Sequence, residues 1–205
     1  MYLKTTSKKI AVAIASVLGV LAIVSPSTVH ASSETSETSE AVIEFASGSL
    51  SLEAVPDFDF ASQTIMATDT SYTASQNGED STEFVVGISD LRGTGEGWTL
   101  NIALSSFVDE NDEASIPGAV IFIKNLTVSR ASTATIGNTP NNAEDIDINS
   151  DNVATPLLVA DEEAGFGLWD LEWANADTTL TVPGASARVG ANTATLTWSL
   201  ENTPE

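Results

Sequence analysis

Apolar and polar residues alternate along short runs of this chain, most clearly around two Trp-x-Leu triplets. Trp98 and Leu100 open an alternation that continues to residue 104, and Trp198 and Leu200 lie in a second one near the C-terminus. Because successive side chains of a strand point to opposite faces, each triplet places its Trp and Leu on one face. The pattern predicts two amphipathic β-strands, each with one apolar face.

Similar short runs rich in Val, Ile, Thr and Leu continue from residue 41 to the C-terminus, with Gly, Pro, Asn and Asp between them. No segment keeps a 3.6-residue apolar period over several turns. We therefore predict an all-β fold, either an antiparallel β-sandwich or an elaborated barrel with long acidic loops. The predicted strands are residues 42–46, 49–55, 84–89, 98–105, 119–129, 152–160, 178–182 and 194–200.

Three segments leave choices open. Residues 118–130 are long for one strand and could bend between two sheets, which favours the sandwich. Residues 139–150 form either a long loop or a short edge strand. Residues 106–116 are acidic and loop-like, in a position suited to contact a partner.

The N-terminus has the pattern of a secretion signal. Basic residues precede an apolar run at positions 10–24, and Val29-His30-Ala31 supplies small residues for cleavage after Ala31. The run is short for a membrane span and no stop-transfer charges follow it. We predict a signal peptide over residues 1–31, a disordered Ser/Glu/Thr spacer over 32–40, a single β domain over 41–205, and no membrane span after cleavage.

The charge and composition of the exported chain exclude several functions. Cleavage would leave four basic residues against 29 acidic ones, a net charge of −25, with no histidine and no cysteine. Nucleic acid is excluded as a partner because phosphate binding needs basic residues. Zinc and copper sites, serine triads and thiol nucleophiles lack their usual side chains. We expect no cofactor and no enzymatic activity.

The four tryptophans are the candidate binding residues. Core packing is the preferred interpretation of Trp98 and Trp198, and an aromatic platform for a sugar or a partner protein is the alternative. If residues 166–173 are extended, Trp169 and Trp173 share one face, either in the core or as a carbohydrate-binding surface. We rank this second pair first among the exposed aromatic candidates.

Acidic residues supply the remaining candidates. Asp90 and Arg92 could form an ion pair at a strand end or a turn, and a structural role is preferred. Two acidic segments are candidate calcium sites, although the second lacks the glycine and the closing glutamate of an EF-hand loop, so that solvated acidic loops are preferred. These candidates are Asp109, Glu110, Asp112 and Glu113 in the first segment and Asp145, Asp147, Asn149 and Asp151 in the second.

The sequence around the two triplets resembles the WxL family of Gram-positive cell-surface proteins. Ser-Asp-Leu-Arg-Gly at 89–93 leads into Gly-Trp-Thr-Leu at 97–100, and Ala-Thr-Leu-Thr-Trp-Ser-Leu at 194–200 is followed by Pro204. The resemblance implies a protein of the cell wall or cell surface that attaches non-covalently to peptidoglycan or another wall glycan. It also implies assembly with other surface proteins of the same system.

Two functions of other classes stay open from the sequence alone. The first is a glycoside-processing enzyme that uses an Asp/Glu pair, since 29 carboxylates bring some pair together by chance. The second is a calcium-stabilised adhesin that binds a host polymer.

Overall fold

A computed structural model describes residues 39–76, 81–131, 133 and 137–202. The predicted signal peptide and residues 32–38 of the predicted spacer lie outside the described residues. The chain divides into two units, residues 1–43 and 44–205. The described part of the first unit, residues 39–43, is exposed and has no regular secondary structure. No helix in the described part of the chain is long and apolar enough to cross a membrane.

All of the regular secondary structure described lies in the second unit and is almost entirely β. A single 3₁₀ turn, Asn175–Asp177, joins two strands. The strands are β1 (Leu50–Ala54), β2 (Phe58–Asp59), β3 (Thr70–Thr73), β4 (Ser75–Gln76), β5 (Glu83–Asp90), β6 (Trp98–Leu104), β7 (Val120–Ile123), β8 (Thr127–Arg130), β9 (Asn141–Asn142), β10 (Ile146–Asn149), β11 (Thr155–Ala160), β12 (Gly167–Ala174), β13 (Thr178–Val182) and β14 (Leu196–Glu201).

These strands form four antiparallel sheets that pack together. Three have four strands, in the orders β1-β5-β12-β8, β10-β7-β13-β3 and β14-β6-β11-β9, and the fourth pairs β2 with β4. The prediction of an all-β antiparallel fold is confirmed, with sheets packed face to face in the manner of a sandwich. One hydrophobic core draws residues from all three large sheets.

The predicted strand over residues 119–129 is in fact two strands in two different sheets. β7 ends at Ile123, Asn125 adopts a positive φ of 55°, and β8 begins at Thr127. Asn tolerates this left-handed conformation better than most residues, so the chain can turn there at low cost. The prediction of a single strand was wrong, whereas the predicted bend between two sheets is confirmed.

The N-terminal end of the fold also differs from the prediction. Residues 42–46 were predicted as a strand, but they pair with no described strand, and the first strand begins at Leu50. Residues 139–150 include β10, which lies at the edge of its sheet, so the edge-strand alternative is confirmed there.

β6 is the most deeply buried strand, and it carries the first Trp-x-Leu triplet. All seven of its residues are buried, including the polar Thr99 and Asn101. It lies between β11 and β14, and both of its faces are covered. The first triplet is therefore part of the centre of the fold.

Candidate functional site

The two Trp-x-Leu triplets lie side by side on neighbouring antiparallel strands. Leu100 of β6 is directly opposite Leu200 of β14, and Trp198 is opposite Ile102. Because the strands run in opposite directions, the two tryptophans lie on either side of the leucine pair. The triplets, whose tryptophans are 100 residues apart in sequence, thus form one structural unit.

Trp98 is fully buried under a glycine-rich loop. Its side chain is 0% exposed, and its indole Nε1 donates a hydrogen bond of 3.3 Å to the carbonyl oxygen of Gly165. A Cβ at Gly165 would lie 2.6 Å from that same Nε1, and Gly165 has a positive φ of 73°. Only glycine satisfies both requirements, so Gly165 lets the loop close over the ring.

Asp90 and Arg92 form a clamp just before the first triplet, with Asp90 buried and Arg92 partly buried. Arg92 donates from Nε and Nη2 to the two carboxylate oxygens of Asp90 at 2.9 and 2.8 Å. Nη2 also donates to the carbonyl oxygen of Gly97 at 2.9 Å. The hydrogen bond to Asp90 raises the pKa of Arg92 further above its ordinary value. The pair therefore fixes the loop that leads into Trp98, which is a structural task.

Trp169 and Trp173 share one face of β12, and that face is in the core. Each is only 2% exposed. Trp169 donates from Nε1 to the carbonyl oxygen of Phe166 at 3.1 Å, and the guanidinium of Arg130 lies 4.1 Å from its ring centroid. Trp173 donates to Thr178 Oγ1 at 2.7 Å. Of the two alternatives for this pair, the structure shows core packing and not a carbohydrate-binding surface, because neither ring is open to a ligand.

Trp198 is the one tryptophan of the four that is only half-buried. It packs against the core from β14, the edge strand of its sheet. A small hollow beside it is lined by Pro56, Asp57 and Thr195. Of the predicted aromatic candidates, Trp198 alone combines a core contact with access to solvent.

A larger cleft opens elsewhere, between residues 58–72 and residues 183–196. Its volume is about 970 Å³. Leu104, Ile121 and Leu180 are among the residues of its apolar lining, and all three belong to the buried core. Exposed apolar side chains also line it, namely Ile65 and Met66 on one segment and Val189, which is 92% exposed, on the other.

Arg188 and Asn192 are two of the polar residues that line the cleft. The Arg188 side chain is 56% exposed, and its Nη1 lies 3.6 Å from Asp109 Oδ2 and 3.4 Å from Glu113 Oε2. Asn192 donates from Nδ2 to the carbonyl oxygens of Arg188 and Gly190, both at 3.0 Å, which leaves its Oδ1 as an acceptor. That Oδ1 is buried and has no hydrogen-bond partner among the described residues.

The acidic segments do not converge on a metal site. In the described residues, no three His, Cys, Asp or Glu side chains lie close enough to hold an ion, and Asp145, Asp147 and Asp151 are not brought together. Asp151 instead accepts the N–H of Val153 at 3.0 Å. Asp109 accepts the N–H groups of Asn111 and Glu113, and these bonds lower the pKa of its carboxyl.

Sequence reasoning did not find Arg188, Asn192 or the cleft. The two segments that form the cleft are more than 100 residues apart, and neither contains a motif. The one local signal in the sequence is the pair Arg188-Val189, a charged and an apolar residue among small residues and outside any alternating strand pattern.

Comparison with known families identifies the chain. The model of the WxL domain, described as a surface cell wall-binding domain, matches residues 22–204. No curated protein and no solved structure matches the chain. The match covers nearly the whole chain and includes both triplets, the Asp90–Arg92 clamp and the cleft. The chain therefore belongs to the WxL family, and it is a secreted protein of the cell wall or cell surface with a cell wall-binding domain.

Proposed function

We propose that this protein attaches non-covalently to peptidoglycan, and that the wall polymer binds in the cleft between residues 58–72 and 183–196. The observation that carries the proposal is the cleft itself, about 970 Å³ in volume, with an apolar lining and a few polar groups. Binding sites for small ligands generally have this composition. Assembly with other surface proteins of the same system is part of the proposal.

The polar groups favour the peptide stems of peptidoglycan over its sugar rings. A peptide stem offers carboxylates, amide N–H groups and alanine methyl groups. Arg188 matches the first, because its contacts of 3.4 and 3.6 Å are longer than the roughly 2.7–2.9 Å of a strong charged hydrogen bond and can be exchanged. Ile65, Met66 and Val189 match the methyl groups. Asn192 Oδ1 is buried and unpaired among the described residues, so its side chain would have to rotate to accept an amide N–H.

The cleft also favours binding over hydrolysis. A glycosidase needs two carboxyl groups across its substrate, about 5–9.5 Å apart. Among the described residues that line the cleft, Asp59 alone carries a carboxyl group. We therefore propose a non-enzymatic wall-binding protein.

The test is binding to purified peptidoglycan from which other wall polymers have been removed. Arg188→Gln should weaken binding about tenfold, because a hydrogen bond between charged groups contributes roughly 1.5–3 kcal/mol. Lys124→Gln is the matched control. It also removes one positive charge from a partly exposed residue with a carboxylate neighbour, Asp177, but Lys124 does not line the cleft.

Competition separates the two parts of the wall polymer. A soluble muropeptide should displace the protein from the wall, and a peptide-free chito-oligosaccharide should not. Equal weakening by Arg188→Gln and Lys124→Gln would show a general charge effect and contradict the assignment of the cleft. Displacement by the sugar alone would contradict the assignment of the peptide stems.

A further inference from the structure

The outer edge of β14 has no partner among the described strands. β14 is the terminal strand in the order β14-β6-β11-β9, and its six residues pair with β6 in continuous register from Leu196 to Glu201. The carbonyl oxygen of Thr195 accepts a hydrogen bond from the N–H of Ser105, so the backbone carbonyl of Thr195 points toward β6 and not toward the open edge. Because alternate residues of an antiparallel strand bond to opposite sides, Leu196, Trp198 and Leu200 present their backbone groups outward.

This edge lacks the features that usually prevent a further strand from adding. Proteins protect edges with short strands, bulges, proline or charges. The other edge strands described here have such features: β1 contains an irregularity, β3, β8 and β10 have four residues, and β2, β4 and β9 have two. β14 has six residues, no bulge, and a single charge at its end, Glu201. Its row of Leu196, Trp198 and Leu200 is only half-buried.

A segment with the matching character lies exposed near the other end of the chain. Residues 41–46 read Ala-Val-Ile-Glu-Phe-Ala, a composition that favours strands, yet they form none. Val42 and Phe45 are each 84% exposed, and Ile43 is 76% exposed. As a strand, this segment would present Ile43 and Phe45 on one face and Val42 and Glu44 on the other.

We propose that residues 41–46 of one copy of this chain add as a strand to the open edge of β14 in a second copy. Ile43 and Phe45 would then continue the apolar row of Leu196, Trp198 and Leu200, and Glu44 would lie on the solvent side. The lengths agree at six residues each. The contact would bring few charges together, because the donor segment and β14 carry one carboxylate each, Glu44 and Glu201.

Strand addition explains both the strength and the specificity of the proposed contact. Main-chain hydrogen bonds would hold the added strand on β14, and its alternate side chains would determine which segment fits. Because the donor segment and the acceptor edge are different surfaces, two copies can exchange segments reciprocally, or successive copies can join in an open chain. This inference concerns the sheet edge, which shares Leu196 with the cleft lining, and it does not depend on which ligand occupies the cleft.

The first experiment measures molecular mass in solution by light scattering, in physiological salt and without wall polymer. The exported protein should associate at micromolar concentration. Phe45→Asp should raise the dissociation constant about tenfold or more, because a charge would enter the apolar row. Val42→Asp is the matched control, with the same exposure and the same change of charge on the opposite face, and it should change the constant by less than about threefold.

The second experiment uses the absence of cysteine from the chain. A Glu44→Cys protein is mixed with a Ser199→Cys protein and treated with a short bismaleimide. These two positions share the solvent face of the added sheet, so the mixture should yield a cross-linked dimer. Ser71→Cys, on the edge strand β3, replaces Ser199→Cys in the control and should not cross-link to Glu44→Cys.

Three results would overturn the inference. The first is a wild-type protein that is monomeric at about 100 μM, which is far above the dissociation constant expected for a specific contact. The others are equal effects of Phe45→Asp and Val42→Asp on the dissociation constant, and equal cross-linking of Glu44→Cys to Ser199→Cys and to Ser71→Cys. None of them bears on wall binding, which is measured on peptidoglycan with Arg188→Gln.

Discussion

At the scale of single residues, the first Trp-x-Leu triplet depends on a glycine in a different part of the chain. Trp98 is buried beneath Gly165, whose missing side chain leaves space for the indole and whose carbonyl oxygen accepts the indole N–H. Most of the tryptophan's contribution to stability comes from burial of its large apolar surface. That burial is possible only if the loop closes, so the conformation of Gly165 and the packing of Trp98 are one structural feature.

We predict that Gly165→Ala lowers the free energy of unfolding by about 2–4 kcal/mol. Two effects add, because the new Cβ meets the Trp98 ring and alanine is strained at a positive φ. Gly93→Ala is the control: Gly93 has a similar φ of 70° but no atom within 4 Å of the added Cβ. Denaturant unfolding of both variants separates the clash from the strain, and equal losses would contradict the close-packing argument.

At the scale of elements, β6 and β14 pair the two triplets but bury them to different depths. Each tryptophan flanks the same leucine pair, Leu100 and Leu200. β6 is an interior strand buried on both faces, whereas β14 is an edge strand and Trp198 remains half-buried. Similar motifs therefore have unequal energetic weight.

We expect Trp98→Ala to cost about 3–5 kcal/mol of stability, a large part of a typical total of about 5–15 kcal/mol. Trp198→Ala should cost less, because less apolar surface leaves water when the chain folds. Urea unfolding followed by circular dichroism measures both losses. If Trp198→Ala were the more destabilising variant, the half-burial of β14 would not describe the protein in solution.

The elements also show which parts of the fold the sequence could predict. Alternation predicted β6, β13 and β14 because their apolar residues repeat every second position. It could not predict β2 and β4, which have two residues each and too few positions for any pattern. Residues 42–46 have the pattern without a partner strand, since propensity reports a preference and pairing depends on which edge is within reach.

The candidate site was predicted less well than the fold, for a physical reason. Trp169 and Trp173 were placed correctly on one face, but alternation cannot distinguish a buried face from an exposed one. The cleft depends on two distant segments that approach only after the sheets pack. Its Arg188 and Asn192 have no repeating pattern, so no local signal connects them.

At the scale of the whole molecule, net charge opposes the association with the wall. The exported chain would carry four basic residues against 29 acidic ones, and we assume the Gram-positive wall that the sequence resemblance implies, with its phosphate-rich polymers. Like charges repel at neutral pH, most strongly at low salt. If the wall binds in the cleft as proposed, its specific contacts act against a long-range barrier, and conditions that lower the barrier should strengthen binding.

We predict that binding to intact walls strengthens as the pH falls from 7 to about 4, where Asp and Glu side chains begin to take up protons. The sign follows from the charge: each added proton removes one negative charge from the protein and weakens the repulsion. Salt at neutral pH should have part of the same effect by screening. Binding is measured at both pH values and two ionic strengths, with near-ultraviolet circular dichroism to confirm that the protein stays folded.

Walls stripped of phosphate polymers are the control, and with them the dependence on pH and salt should be smaller. Affinity that does not change with pH, or that falls when salt is added, would mean that cations such as Arg188 attract the wall strongly enough to dominate, and the repulsion argument would be wrong.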